Sequence, residues 1–160
     1  MADDLAGPVL STYVDDVHTA LDAAGRSVAR IVVVAPGLAP AWDECCEGML
    51  YSRVVSITPK VDMNLARGGH LCATLGWTVT AAIGVLRCAY VVNDRGQAPT
   101  PSQITSDGAA ALADAADLLQ VVLCHPSTAS VQGWTPLGVE GGCHGGEVLF
   151  TFMIARCSCG

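Results

Sequence analysis

Cysteine and histidine are the residues of this 160-residue chain whose side chains are best suited to chemistry. Eight cysteines occupy positions 45, 46, 72, 88, 124, 143, 157 and 159, and no two of them form a CxxC pair. Tetrahedral zinc sites usually contain such a pair, because the spacing lets a tight turn present two thiolates to one ion. A regular disulfide framework is more typical of shorter, secreted chains. The spacing alone therefore assigns neither chemistry.

Two arrangements fit the cysteine pattern if the cysteine-rich segments meet at one end of the fold. Zinc would take its ligands from a set of six residues: Cys45, Cys46, Cys143, His144, Cys157 and Cys159. A disulfide between Cys45 or Cys46 and Cys143 needs the same proximity, and we prefer it because neither a CxxC nor an HxxxH knuckle is present. We name Cys46 and Cys143 as the candidate pair, and zinc stays open as the alternative.

Two Cys-His neighbours, Cys124-His125 and Cys143-His144, resemble parts of a thiol nucleophile site. Adjacent residues of a strand point to opposite faces, however, and catalytic dyads are normally assembled by the fold. We therefore expect a buried Cys124 at a helix end, and a loop Cys143 beside an exposed His144. The chain has no P-loop and no GxSxG motif. We predict no catalytic residues, no metal site and no cofactor.

The composition excludes several classes of protein. Fifteen acidic residues against eight basic ones give a net charge of -7, which disfavours binding to nucleic-acid phosphates. Hydrophobic residues make up 51% of the chain and charged residues 14%, where roughly 25% charged is typical. No uncharged apolar run reaches the ~18 to 20 residues of a membrane-spanning helix, and the acidic start Met-Ala-Asp-Asp is unlike a signal peptide. We expect an oligomer made in the cytoplasm, with no membrane partner.

Hydrophobic periodicity predicts the order α-β-β-β-α-β-β. The predicted helices are Val9–Ala24 and a segment capped by Thr100-Pro101-Ser102-Gln103 that ends at Cys124. The five predicted strands are Val28–Val34, Met49–Ile57, Leu75–Val92, Ala129–Val139 and Glu147–Arg156, with a polar loop Lys60–Cys72 and a hairpin loop Gly141–Gly146. The second helix is expected to bury Ile104, Gly108, Leu112, Ala115, Leu119 and Val122. Few helical crossovers predict an α+β fold, a mostly antiparallel sheet with two helices on one face, as a single domain over residues 1–160.

A family resemblance rests on this element order and on three short motifs. They are Ala35-Pro36-Gly37 with Ala41-Trp42-Asp43-Glu44-Cys45-Cys46, then Gly84-Val85-Leu86-Arg87-Cys88, and then Gly133-Trp134-Thr135-Pro136-Leu137-Gly138 with Glu140-Gly141-Gly142-Cys143. Over residues 10 to 155 the chain resembles the tail-terminator family of long-tailed, siphovirus-type phages. It resembles more closely the small head-to-tail connector proteins of actinobacterial phages.

The resemblance implies a structural virion protein and not an enzyme. Such a protein forms a ring, commonly a hexamer, that caps the tail tube at the head-tail junction, contacts the tube protein and the neck or stopper protein, and lets DNA pass through its lumen. A ring closes through heterologous contacts, which suit a chain rich in apolar residues. The candidate interface residues are Trp42, Asp43, Glu44, Arg67, His70 and His144. The alternatives are a stopper or adaptor of the same connector, a small zinc-binding or thiol-dependent enzyme, and an oligomeric α+β domain of unknown role.

Overall fold

The computed structural model describes residues 6–35, 45–61 and 74–155. Within these ranges, two α-helices and five strands follow one another in the predicted order α-β-β-β-α-β-β. The helices are α1 (Gly7–Ala23) and α2 (Pro101–Cys124). The strands are β1 (Arg30–Val32), β2 (Met49–Val61), β3 (Thr74–Cys88), β4 (Thr128–Glu140) and β5 (Cys143–Ile154), with a short 3₁₀ helix at Cys45–Glu47 before β2. The α+β prediction is confirmed.

The five strands form one mixed sheet in the order β1-β2-β3-β5-β4. Three neighbouring pairs are antiparallel, and β1 pairs with β2 in parallel. The long hairpin β2–β3 and the tight hairpin β4–β5 lie side by side, since β3 and β5 are register partners from Trp77–Ile154 to Cys88–Cys143. The strands β3 and β5 are therefore each hydrogen-bonded to a neighbour on both sides, which places them in the interior of the sheet.

Both helices cover the same face of the sheet, which we call the inner face. Its core contains Leu10, Val14, Val17 and Leu21 of α1, Leu118 and Val122 of α2, and alternating strand residues such as Val79, Ala81, Ile83, Val85, Val148, Phe150 and Phe152. The alternation of residues along these strands predicted which side chains share a face, and that prediction is confirmed. The predicted cap of α2 is also confirmed. The Thr100 side chain accepts a hydrogen bond from the backbone N–H of Gln103, and the Gln103 side chain accepts one from the backbone N–H of Thr100.

The opposite, outer face of the sheet carries a second and smaller apolar cluster. Its buried members are Cys45, Met49, Tyr51, Leu86 and Cys143, with Val32 and Leu137 packed beside them. The 3₁₀ helix contributes Cys45 to this cluster, and its end is bonded to the start of β1, where the Ala29 amide donates to the Glu47 carbonyl at 3.0 Å. Two packed faces explain why so many strand residues of this chain are apolar.

The glycine-rich run 141–146 is not the predicted loop. Only Gly141 and Gly142 form the turn, with φ values of 59° and 78°, as a two-residue hairpin turn of type I′ requires. The remaining residues belong to β5. A β-carbon on Gly146 would overlap the indole of Trp134 in β4. The glycine is thus a packing position inside the sheet, although a run of glycines is typical of a loop.

The buried face of α2 is also rotated from the predicted one. Asp114, Ala115, Leu118 and Val122 are buried, whereas Ile104 and Leu112 are 59% and 64% exposed. Hydrophobic periodicity predicts apolar residues inside and gives no reason to bury an aspartate. Two arginines, Arg26 and Arg87, pair with Asp114 and make its burial tolerable.

Candidate functional site

Four cysteines from three segments meet at one end of the sheet. Cys45 is bonded to Cys143, with 5.9 Å between their Cα atoms, and Cys46 is bonded to Cys88, with 4.1 Å. The predicted pairing of Cys46 with Cys143 is wrong, and its alternative, Cys45 with Cys143, is the pair that forms. Sequence reasoning missed Cys88, because the third strand was expected to run on to Val92 and would have placed Cys88 inside it. The strand ends at Cys88 itself.

These disulfides bear on the thiol and zinc hypotheses. Cys143, one of the two cysteines considered as nucleophiles, has no free thiol, and neither do Cys45, Cys46 and Cys88. In the part of the chain that the structure describes, no group of three or more His, Cys, Asp or Glu residues is arranged to hold a metal ion. Cys157 and Cys159 lie outside the described residues. The free thiol of Cys124 is exposed and not buried as predicted.

A buried polar network crosses the outer face beside this cysteine cluster. Glu147 of β5 accepts from Tyr51 Oη at 2.9 Å, and from Arg53 Nε and Nη2 at 3.1 and 2.5 Å. Glycine at position 84 makes the bridge across β3 possible, because a β-carbon there would lie 2.6 Å from the Tyr51 hydroxyl. Tyr51 is fully buried, and Arg53 and Glu147 are below one-tenth exposed.

The electrostatics of the network follow from this burial. Desolvation raises the pKa of Tyr51, and the neighbouring Glu147 carboxylate raises it further. The hydrogen bond to Glu147 raises the pKa of Arg53 against the opposing effect of burial. The phenol therefore stays neutral, while the arginine and the glutamate form a charged, bidentate pair. The network joins β2 to β5 across β3.

A second charged cluster joins the inner face to α2. Arg87 of β3 donates from Nε and Nη2 to the two oxygens of Asp114, at 2.6 and 2.9 Å, and from Nη2 to the Arg26 carbonyl at 2.8 Å. Arg26 reaches Asp114 as well, at 3.1 Å, and pairs with Asp117. These bonds tie the end of α1 and the end of β3 to the middle of α2. Their donors point at protein groups and not into an open site.

A cleft of about 400 Å³ lies next to this cluster, between the end of β3 and the first half of α2. His144 of β5 lines it, and its Nε2 lies 3.8 Å from Oδ1 of Asp107, whose other oxygen accepts from the Tyr90 amide at 2.8 Å. The prediction of an exposed His144 in a docking loop is wrong. His144 is only 7% exposed, because it belongs to β5, which begins at Cys143.

The other histidine next to a cysteine, His125, joins the C-terminal end of α2 to the middle of α1. Its ring stacks on Tyr13 at a centroid distance of 3.7 Å, its Nδ1 accepts from the Ser127 amide at 3.2 Å, and its Nε2 lies 3.1 Å from Thr12 Oγ1. Because Thr12 donates its own proton to the Val9 carbonyl, Nε2 of His125 must be the donor to Thr12. Burial lowers the pKa of His125, opposed by Asp16, so the ring is held neutral.

One side of α2 exposes apolar residues to solvent. We define the free face of α2 as Ile104, Gly108, Leu112, Ala116 and Leu123, which follow one another along one side of the helix and are all exposed. The three charged residues of α2 lie elsewhere: Asp107 beside His144, and Asp114 and Asp117 beside Arg26. The free face is therefore a stripe without charge. Trp42, Asp43, Glu44, Arg67 and His70, the other predicted interface residues, lie outside the described residues.

The chain matches no protein-family model, and no curated protein matches it. Neither of the two helices in the described ranges is long and apolar enough to cross a membrane. The structural features that bear on function are the disulfide-bonded end of the sheet, the buried Tyr51–Arg53–Glu147 network, the partly buried charged cluster around Asp114 and the free face of α2. The charged groups of the two clusters pair with one another, whereas the free face of α2 exposes apolar side chains to water.

Proposed function

We propose that this chain is a structural virion protein, a tail terminator whose copies form a ring on the end of a phage tail tube. The observation that carries the proposal is the free face of α2, where Leu112 and Leu123 are 64% and 63% exposed on a helix whose charges all point elsewhere. Soluble chains seldom leave such a stripe uncovered, and a neighbouring copy of the same chain is the partner that a ring supplies.

The architecture supports heterologous contacts between copies. A ring needs two different surfaces on each subunit, because the front of one copy meets the back of the next. The sheet ends in two unlike strands: the three-residue β1 on one side and the thirteen-residue β4 on the other. The helix α2 packs on β5 and β4, so the free face belongs to the β4 side of the molecule. A subunit with such unlike sides suits ring closure better than a two-fold dimer.

The charge balance agrees with a lumen that DNA crosses without binding. A net charge of -7 repels phosphates at short range. Within the described residues, Arg26, Arg53 and Arg87 are each held in an ion pair with an acidic side chain, so they do not form a basic stripe. A stopper or adaptor of the same connector would share this charge balance. An assay of binding to the tail tube protein distinguishes a terminator from these alternatives.

The proposal is tested by placing a charge on the free face. Leu112→Asp should shift the assembled species to monomer, since each interface would have to desolvate a carboxylate without a partner. Ser102→Asp is the matched control: it adds the same charge to the exposed first turn of the same helix, where an acidic side chain is tolerated well. Native mass and melting are measured for both variants. The proposal fails if Leu112→Asp folds and assembles as the control does.

A further inference from the structure

The two disulfides differ sharply in their access to solvent. Cys45 and Cys143 are each 1% exposed, whereas Cys46 and Cys88 are both exposed. Thiol–disulfide exchange requires a thiolate to reach a sulfur along the S–S axis, so burial slows it and exposure permits it. Although Cys45 and Cys46 are neighbours in sequence, a reductant in solution therefore meets one pair well before the other.

The disulfides also fasten the 3₁₀ helix that precedes β2 to the sheet. The 3₁₀ helix Cys45–Glu47 covers the outer-face cluster of Met49, Tyr51 and Leu86. Its backbone ties to the rest of the sheet are at its far end, at the Glu47 and Gly48 carbonyls. The two bonds link it to the neighbouring strands β3 and β5, at the register pair Cys88–Cys143, and they close loops of 42 and 98 residues. In the described ranges both α-helices pack on the opposite, inner face.

We propose that Cys45, Cys46, Cys88 and Cys143 form a two-step redox clasp that controls the outer face of the sheet. Its exposed bond, Cys46–Cys88, exchanges with a small-molecule thiol/disulfide couple such as glutathione. The buried bond, Cys45–Cys143, persists until the first has opened. Reduction of both bonds frees the 3₁₀ helix and uncovers the outer-face cluster, and oxidation closes it again. The clasp is a property of the single subunit and does not depend on the proposed ring.

The exposed bond is reduced by two successive thiol–disulfide exchanges. A thiolate of the small molecule attacks one of the two sulfurs, forms a mixed disulfide and expels the other cysteine as a thiolate. A second small-molecule thiolate attacks the mixed disulfide and releases the remaining cysteine. Two electrons pass to the protein, the small molecule leaves as its disulfide, and the cysteine thiolates take up protons from water. Closing the clasp is the same sequence in reverse.

The order of opening is tested on the full-length oxidised protein in reduced glutathione. Samples taken over time are alkylated and mapped by mass spectrometry, which follows each pair separately. Cys46 and Cys88 should become alkylated at least about tenfold faster than Cys45 and Cys143. Cys124→Ser serves as the control, because it removes a free exposed thiol and should leave both rates unchanged. Equal rates for the two pairs, or faster opening of Cys45–Cys143, would overturn the proposal.

The consequence for the outer face is tested by hydrogen exchange. Amides of residues 49–53 and 84–88 should keep their protection in Cys46→Ser/Cys88→Ser and lose it in the fully reduced wild type. Protection that survives full reduction would contradict the clasp. The metal content of the reduced protein is measured in the same samples. One equivalent of zinc held by the four thiolates would show that the cluster is a metal site and not a clasp.

Discussion

The buried Tyr51–Arg53–Glu147 network gives the sharpest test of how the sheet is held together. Glu147→Gln removes the carboxylate that pairs with the Arg53 guanidinium and keeps the shape of residue 147. An arginine left buried without its counter-ion is strongly destabilising, by about 3–5 kcal/mol when a buried pair is broken. The amide oxygen of glutamine can still accept one hydrogen bond, so we expect a loss of about 3 kcal/mol in the free energy of unfolding.

Two further variants separate the charge from the hydrogen bonds. Tyr51→Phe removes one bond to the carboxylate and should cost about 1–3 kcal/mol. The double variant Arg53→Met/Glu147→Leu removes both charges and should recover much of the loss seen in Glu147→Gln, since no buried charge remains unpaired. The recovery distinguishes a desolvated ion pair from a site that tolerates no change at all.

The assay is urea unfolding of the oxidised protein at one fixed concentration, followed by circular dichroism. Glu140→Gln, the same substitution at an exposed residue of β4, is the matched control and should leave the midpoint unchanged. If Glu147→Gln unfolds at the same urea concentration as Glu140→Gln, the network carries no net stability and the reasoning from burial is refuted.

Three other perturbations test separate parts of the account. Phe152 is fully buried in the inner core, so Phe152→Asp should abolish cooperative folding; a soluble variant with a cooperative melt would contradict the strand assignment. Because the pKa of His125 is lowered in the folded state, its contribution to stability is present above the unfolded value of about 6.5 and is lost as the pH falls through and below it. His125→Asn keeps an acceptor for the Ser127 amide and should lose less stability than wild type between about pH 7 and pH 5; equal losses would show that the imidazole is not the cause. Trp42→Ala should leave melting unchanged and weaken assembly, and an unchanged native mass would remove Trp42 from the interface.

Much of the fold could be predicted from the sequence because its signals are local. Alternation in β5 marked Val148, Phe150 and Phe152 as inward, and the Thr100–Gln103 capping box marked the start of α2; both are found in the structure. The parallel pairing of β1 with β2 could not be predicted, since a three-residue strand carries no signal about its direction. Pairing directions depend on tertiary contacts that periodicity does not encode.

The candidate site was less accessible to sequence reasoning, and three residues show why. His144 was expected on the surface because glycines flank it, but those glycines pack against Trp134 and the neighbouring strand. Cys88 was overlooked as a disulfide partner, since its position depends on where β3 ends. Asp114 was not expected inside, and only the arrival of Arg87 and Arg26 from distant segments makes its burial tolerable. In each case the partner that decides the outcome is far away in sequence.

The native mass of the oxidised wild-type protein over a series of concentrations tests the central claim most directly. The account predicts a closed assembly, with six copies of the 16.4 kDa chain as the expected size and with the free face of α2 buried between copies. The mass should fall to that of one chain in Leu112→Asp. A wild-type protein that remains a monomer at every concentration, with the side chains of the free face of α2 still exposed to solvent, would contradict the ring.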